Sequence, residues 1–230
     1  AGAAEARDLP VRYVFDEGHH LFDAADSAFS AHLSGAEAAE LRRWLRGAEG
    51  QASSRARGIE KRLGDLFDTE CAVLAREIVE AARALPADGW AGRLAQSRAH
   101  GATEAFLALV RQQVFARAAD PDSPYGLECT PAEPVPGLID AADALAAALG
   151  RLGDPLAALA RALAKRLETE ADELDTATRV RIEAALTGIE RRRQVLTTWA
   201  EMLRELRAGA PPEFVDWFDS GPSSPQHDFR

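Results

Sequence analysis

The stretch RVRIEAALTGIERRRQVLTTWAEMLREL, residues 179–206, decides the fold class. Its apolar residues fall at Ile182, Ala185, Leu186, Ile189, Leu196, Trp199, Leu203 and Leu206, mostly three or four apart. That spacing places them on one stripe of a long amphipathic helix. Gly209-Ala-Pro-Pro212 ends it. Its length predicts antiparallel packing against a second long helix, and residues 55–85 supply a candidate. There Ile59, Leu63, Leu66, Phe67, Leu74, Ile78, Ala82 and Leu85 repeat in the same way. Gly58 and Gly64 weaken that helix by roughly 1 kcal/mol each relative to alanine.

The same periodicity recurs through the chain. It predicts helices over 22–33, 36–47, 90–99, 103–118 and 137–152. The 103–118 segment, capped by Thr103, is apolar nearly all round and is expected at the centre of the core. Asp154-Pro155 reads as an N-cap and first position, so a new helix is predicted to start there and run to about Asp175. Residues 120–136 hold five prolines and form an extended connection, which Tyr125 and Leu127 pin down. The expected class is mainly α: an elongated antiparallel helical bundle with one short strand near each end. The strands are Arg12–Phe15 and Phe214–Phe218, which can pair with each other.

Composition fits a globular helical protein: of 230 residues, 47% are hydrophobic, 28% charged and 7% aromatic. A net charge of −10 argues against a strong nucleic-acid footprint over the whole surface, though not against a local basic patch. Cys71 and Cys129 form no CxxC pair, so no zinc or iron–sulfur framework is visible, and Cys71 reads as a small core residue. There is no run of 18 apolar residues and no signal-peptide pattern at the start, so a cytoplasmic protein without membrane contact is expected.

One segment carries chemistry. Tyr13-Val14-Phe15 reads as a buried strand and ends in Asp16-Glu17-Gly18-His19-His20. A strand that delivers a carboxylate from its C-terminal end suits a nucleotide-bound Mg²⁺, and a second carboxylate beside it can activate water. The string Asp16-Glu-Gly-His19 resembles the DEAH box, motif II of superfamily 2 helicases. With its continuation His20-Leu-Phe-Asp-Ala-Ala-Asp-Ser-Ala-Phe-Ser, it is similar to the DinG-like branch of the XPD-type ATP-dependent DNA helicases.

The resemblance implies that Asp16 helps to hold Mg²⁺ of ATP, that Glu17 activates water, and that His19 couples the nucleotide site to the motor. Gly18 stands where that family usually has alanine. The resemblance also implies that the helices form the insertion called the Arch, which stands over the single-stranded DNA channel. Residues 1–20 would then be motor strand and motif II, 21–119 the first helical half, 120–136 the connection, 137–209 the second half, and 210–230 a return strand and loose tail. Single-stranded or forked DNA and the rest of the motor are the implied partners. An iron–sulfur cluster, if the parent has one, lies outside this chain.

The chain has no G-x-x-x-x-G-K-[ST] run, and its only lysines are Lys61 and Lys165. It therefore reads as part of a helicase and is expected to hydrolyse no ATP alone. The arginine runs Arg42-Arg43-x-x-Arg46, Arg55-x-Arg57 with Lys61-Arg62, and Arg191-Arg192-Arg193 are candidate DNA-phosphate contacts, or else solvated faces laced with glutamates. Their convergence on one concave face would favour DNA. Asp16, Glu17, His19, His20 and Asp23 also form a candidate Zn²⁺ or Mn²⁺ site, although their spacing matches no established zinc pattern. The competing reading of the whole chain is a free-standing helical scaffold or partner-binding protein without catalysis.

Overall fold

A computed structural model describes residues 16–21, 30–49, 56–118, 126–209 and 215–220. Among them are seven α-helices: α1 (Gly35–Arg46), α2 (Ile59–Leu63), α3 (Thr69–Ala81), α4 (Trp90–Ala95), α5 (Gly101–Arg117), α6 (Leu138–Thr169) and α7 (Thr176–Ala208). Two three-residue strands, β1 (Leu127–Cys129) and β2 (Phe218–Ser220), pair antiparallel with Glu128 opposite Asp219. The protein is mainly helical, as the periodicity predicts. Its chain divides into two units, Ala1–Ala31 and His32–Arg230, each described by itself.

The second unit is built around α6 and α7. They form a helical hairpin joined at residues 170–175, and Arg207 near the end of α7 bridges to Asp140 and Asp143 near the start of α6. Asp175 caps α7, its carboxylate accepting the Thr178 amide at 2.8 Å. The partner of α7 is thus α6, and not the 55–85 segment as expected. That segment is broken. Gly58 precedes α2, a 3₁₀ turn follows at Gly64–Leu66, and Asp68 then caps α3 by accepting the Cys71 amide at 2.7 Å. A Cβ on Gly58 would lie 2.5 Å from the Arg46 backbone, so this glycine permits a close approach of two chain segments.

Helix α6 runs straight through Pro155, where a restart was expected. The physical reason is the buried stripe: Leu145, Leu149, Leu152, Leu156, Leu159 and Leu163 are all buried without interruption. Each contributes about 1.5–3 kcal/mol by burial. Pro155 costs about 3 kcal/mol in a helix interior, and Arg151, four residues earlier, lies on the exposed side where water can reach.

Helices α3, α5 and α7 all pack on α6, so α6 occupies the centre that was assigned to residues 103–118. On α5, Phe106, Leu107, Val110 and Val114 are buried, but Phe115 is half exposed under the Arg111 guanidinium. Thr103 lies inside α5, and its hydroxyl donates to the Ala84 carbonyl at 2.8 Å instead of capping the helix.

Buried Gln113 holds the proline-rich connection by donating to the Ala132 carbonyl (3.1 Å) and accepting the Val135 amide (2.8 Å). β1 lies in this connection and pairs with the C-terminal strand, which falls at Phe218–Ser220, residues 215–217 being outside it, and not over Phe214–Phe218 as expected; its anticipated partner was Arg12–Phe15. Leu127 is buried, as expected, whereas Arg12–Phe15, Asp23 and Tyr125 lie outside the described residues. The predicted 22–33 helix does not extend over Ser30–Leu33, which are non-helical; residues 22–29 lie outside the described residues. Ser34 caps α1, its hydroxyl accepting the Glu37 amide at 3.1 Å.

Among the described residues no helix is long and apolar enough to cross a membrane. Cys71 and Cys129 are free thiols. Burial in the core, with Asp68 alongside, pushes the Cys71 thiol up to about 11.

Candidate functional site

Asp16 and Glu17 occupy an exposed bend that leads into a 3₁₀ turn at Gly18–His20. The Glu17 amide donates to Asp16 Oδ1 (3.0 Å), and the His20 amide donates to the Glu17 carbonyl (3.0 Å). Glu17 adopts a left-handed backbone (φ 53°, ψ 49°), which is uncommon for a residue with a Cβ. His19 Nδ1 lies 3.2 Å from Glu17 Oε2, and the His19 and His20 rings lie tilted by 41° to each other with centroids 4.0 Å apart.

This geometry exposes both carboxylates at the head of a turn. Asp16 spends one oxygen locally. Mg²⁺ commonly takes one or two carboxylates and fills its other positions with phosphate oxygens and water, so an exposed Asp16 fits that demand. A Cβ on Gly18 would meet nothing within 4 Å, so the departure from alanine carries no steric consequence. Glu17, His19 and His20 bring ligand atoms within 4.8 Å of one another, but all three are exposed, and Asp16 stands outside that group.

The candidate DNA-contacting arginines divide. Arg42 and Arg46 are taken up internally. Arg42 Nε donates to Glu49 at 2.6 Å and its Nη1 to the Leu85 carbonyl at 2.6 Å. Arg46 donates to Glu49 at 2.7 Å and to the Val79 carbonyl. These arginines hold the Glu49 carboxyl below its ordinary range, the Arg42 hydrogen bond being the largest cause. Both guanidiniums therefore lash α1 to the end of α3. Arg43 is exposed. Arg193 pairs with Glu190 one turn earlier on α7 (2.8 Å from Nε).

Arg192 takes a different path. Its guanidinium lies 3.8 Å from the centroid of the Trp44 ring, and the Arg62 guanidinium lies 5.5 Å from the same centroid. Arg191 is exposed beside it on α7. So one member from each of two runs, Arg62 and Arg192, meets on a tryptophan from the third. Trp44 reads in the sequence as part of the apolar face of α1, and nothing near it marks this role. Gly188 of α7 lies beside it, but a Cβ there would sit at an ordinary contact distance of 3.8 Å from Trp44 Cζ2, so the glycine is no signal of the site.

A buried ion pair absent from the sequence reading lies in α4 and α5. Glu104, 1% exposed, accepts Arg93 Nε at 2.9 Å, a second bond from Arg93 Nη2, and the His100 amide at 2.9 Å. Arg93 also donates to the Asp88 and Ala87 carbonyls. A shallow cavity of about 390 Å³ opens between this pair and the Arg42–Glu49–Arg46 cluster. Every charge named there already has an internal partner, which marks a structural junction.

No protein-family model, no curated protein and no solved structure matches this chain.

Proposed function

We propose that this chain is motif II and the helical insertion of an ATP-dependent DNA helicase of the DinG-like, XPD-type group, acting in the cytoplasm. The observation that carries the reading is the run from Tyr13 to Ser30: an apolar strand pattern, two acids, a small residue, two histidines and the matching continuation. Two further features support it. Asp16 and Glu17 are exposed in a turn and not enclosed in a helix or core. The described residues between that turn and β2 are predominantly helical, which suits a helical insertion.

In this reading Asp16 is the carboxylate that helps to hold Mg²⁺, which when bound offsets the charge of the ATP phosphates. Glu17 orients the attacking water and accepts its proton. His19, with Nδ1 3.2 Å from Glu17 Oε2, sits where it can sense that carboxylate and couple it to the rest of the motor. The helices position single-stranded or forked DNA over a channel formed with the other motor parts. Alone, these residues lack the phosphate-binding loop and hydrolyse no ATP.

The test is the open reading frame that encodes the chain. A G-x-x-x-x-G-K-[ST] run about 150–250 residues before Asp16 is expected. A frame with no such run anywhere upstream would refute the proposal.

A further inference from the structure

We propose that Arg62 and Arg192, which meet on Trp44, and the neighbouring Arg191 of α7 form a phosphate-binding site for the backbone of a single-stranded nucleic acid. The choice of nucleic acid rests on the helicase reading; the site itself rests on geometry.

Trp44 projects from α1, Arg62 from α2 and Arg192 from α7, so three helices meet at one indole; Arg191, the preceding residue on α7, is exposed, and its charge is felt at Arg192. The Trp44 edge lies along α7 beside Gly188, where a Cβ would make an ordinary contact at 3.8 Å. Arg192 lies closest over the ring and donates from Nη1 to the Gly188 carbonyl at 2.9 Å. Arg62 donates to the Arg57 carbonyl at 3.0 Å. Stacking on an aromatic face and bonding to a carbonyl fix each guanidinium, and among the described residues its other N–H donors have no partner.

The missing element is a counter-charge. Arg42, Arg46, Arg93, Arg166, Arg181, Arg193 and Arg207 each have a carboxylate within ion-pair distance. Among the described residues, Arg62, Arg191 and Arg192 have none; scattered arginines such as Arg43 and Arg204 also lack one, so what sets these three apart is that their charges act on one another. Burial depresses the Arg192 pKa, and the charges of Arg62 and Arg191 depress it further, with only a small opposing effect from Glu40. Arginine stays protonated nonetheless, so the cluster is a concentrated positive site that an oxyanion would relieve. Planar guanidinium forks match phosphate oxygens. Because Trp44 is half-buried and already covered by Arg192, it positions the arginines and offers no free face for a base. On a chain of net charge −10, such a site would concentrate phosphate contacts in one place.

The experiment is fluorescence polarisation of a labelled 20-nucleotide oligothymidylate with the 230-residue chain, titrated at several salt concentrations. The double variant Arg62→Glu/Arg191→Glu alters two exposed side chains and leaves Arg192 on Trp44. Arg204→Glu, twelve residues further along α7 from Arg192, is the charge control. Wild type is expected to bind, the double variant to lose at least about tenfold in affinity with a salt slope shallower by about 1.4, and the control to stay within about twofold of wild type. Circular dichroism confirms that each variant is folded.

Absence of binding by wild type, or equal loss in the control, would overturn the proposal. Inorganic phosphate serves as the second arm. Displacement of the oligonucleotide only at high phosphate concentration supports a polymer backbone as ligand. Phosphate binding without oligonucleotide binding refutes it. None of these outcomes depends on an upstream phosphate-binding loop, so failure here and failure of the helicase reading are separable.

Discussion

Replacing Glu104 by glutamine tests how α4 and α5 are joined. The substitution keeps the shape and removes the charge. In the native protein the Glu104 carboxylate accepts two bonds from Arg93 and one from the His100 amide while almost fully shielded from water. Hydrogen bonds to charged groups contribute about 1.5–3 kcal/mol each, and breaking a buried pair costs about 3–5 kcal/mol. Arg93 retains 22% side-chain exposure and two carbonyl partners, so water recovers part of that loss. A destabilisation of about 2–3 kcal/mol is expected at pH 7. The glutamine NH₂ also confronts an Arg93 donor, so Glu104→Gln is expected to be no milder than Glu104→Ala.

The pH dependence sharpens the test. Burial raises the Glu104 carboxyl, but the Arg93 hydrogen bond and charge and the His100 amide outweigh it, so its folded pKa lies below 4.5. A depressed carboxylate stabilises the fold fully above its unfolded pKa and loses that contribution as pH falls through the folded value. The gap between wild type and Glu104→Gln in urea unfolding is therefore constant above about pH 5 and narrows below pH 4.5. A gap under 0.5 kcal/mol at pH 7, or one that widens in acid, would refute this account of the pair.

Pro155→Ala restores an amide donor within α6. It is expected to stabilise by about 1–2 kcal/mol, after allowing for the unfolded-state entropy that proline removes, and a lower melting temperature would contradict the uninterrupted helix. Gly58→Ala forces a methyl against the Arg46 backbone and should cost about 2–3 kcal/mol, whereas Gly64→Ala meets open space and should be neutral or better; equal effects in denaturant titration would count against the close approach. Cys71, with its thiol pushed up to about 11 and buried, is expected to resist iodoacetamide at pH 8 in the folded protein and to react once unfolded; rapid labelling of Cys71 in the native state, read by peptide mass, would contradict its burial.

Much of the helical layout is legible because burial imposes a period. Ile59, Leu63, Leu66 and Ile78 in the 55–85 segment, and Ile182, Ile189, Leu196 and Leu203 in α7, are buried at the expected positions. What the period cannot give is the partner: two stripes of similar length look alike, and α7 pairs with α6 because a six-residue link returns the chain directly onto it. Local breaker rules misplace Pro155, where the leucine stripe outweighs one lost hydrogen bond, and miss the break at Gly64–Leu66. β1 and β2 are three residues each, too short for a pattern. At the candidate site, the exposed acid pair could be anticipated from its position after an apolar run. The convergence of Arg62 and Arg192 on Trp44 could not, since it joins residues from three helices, and the internal use of Arg42 and Arg46 depends on Glu49 folding back.

The central claim is that Glu17 activates water for ATP hydrolysis. Its most direct test is steady-state, DNA-stimulated ATPase of the polypeptide translated from the complete reading frame, wild type against Glu17→Gln. The account predicts magnesium-dependent turnover in wild type and a loss of about 10²–10⁴-fold in the variant, with ATP binding retained. Turnover unchanged by Glu17→Gln, or no magnesium-dependent turnover in the complete wild-type polypeptide, would contradict it.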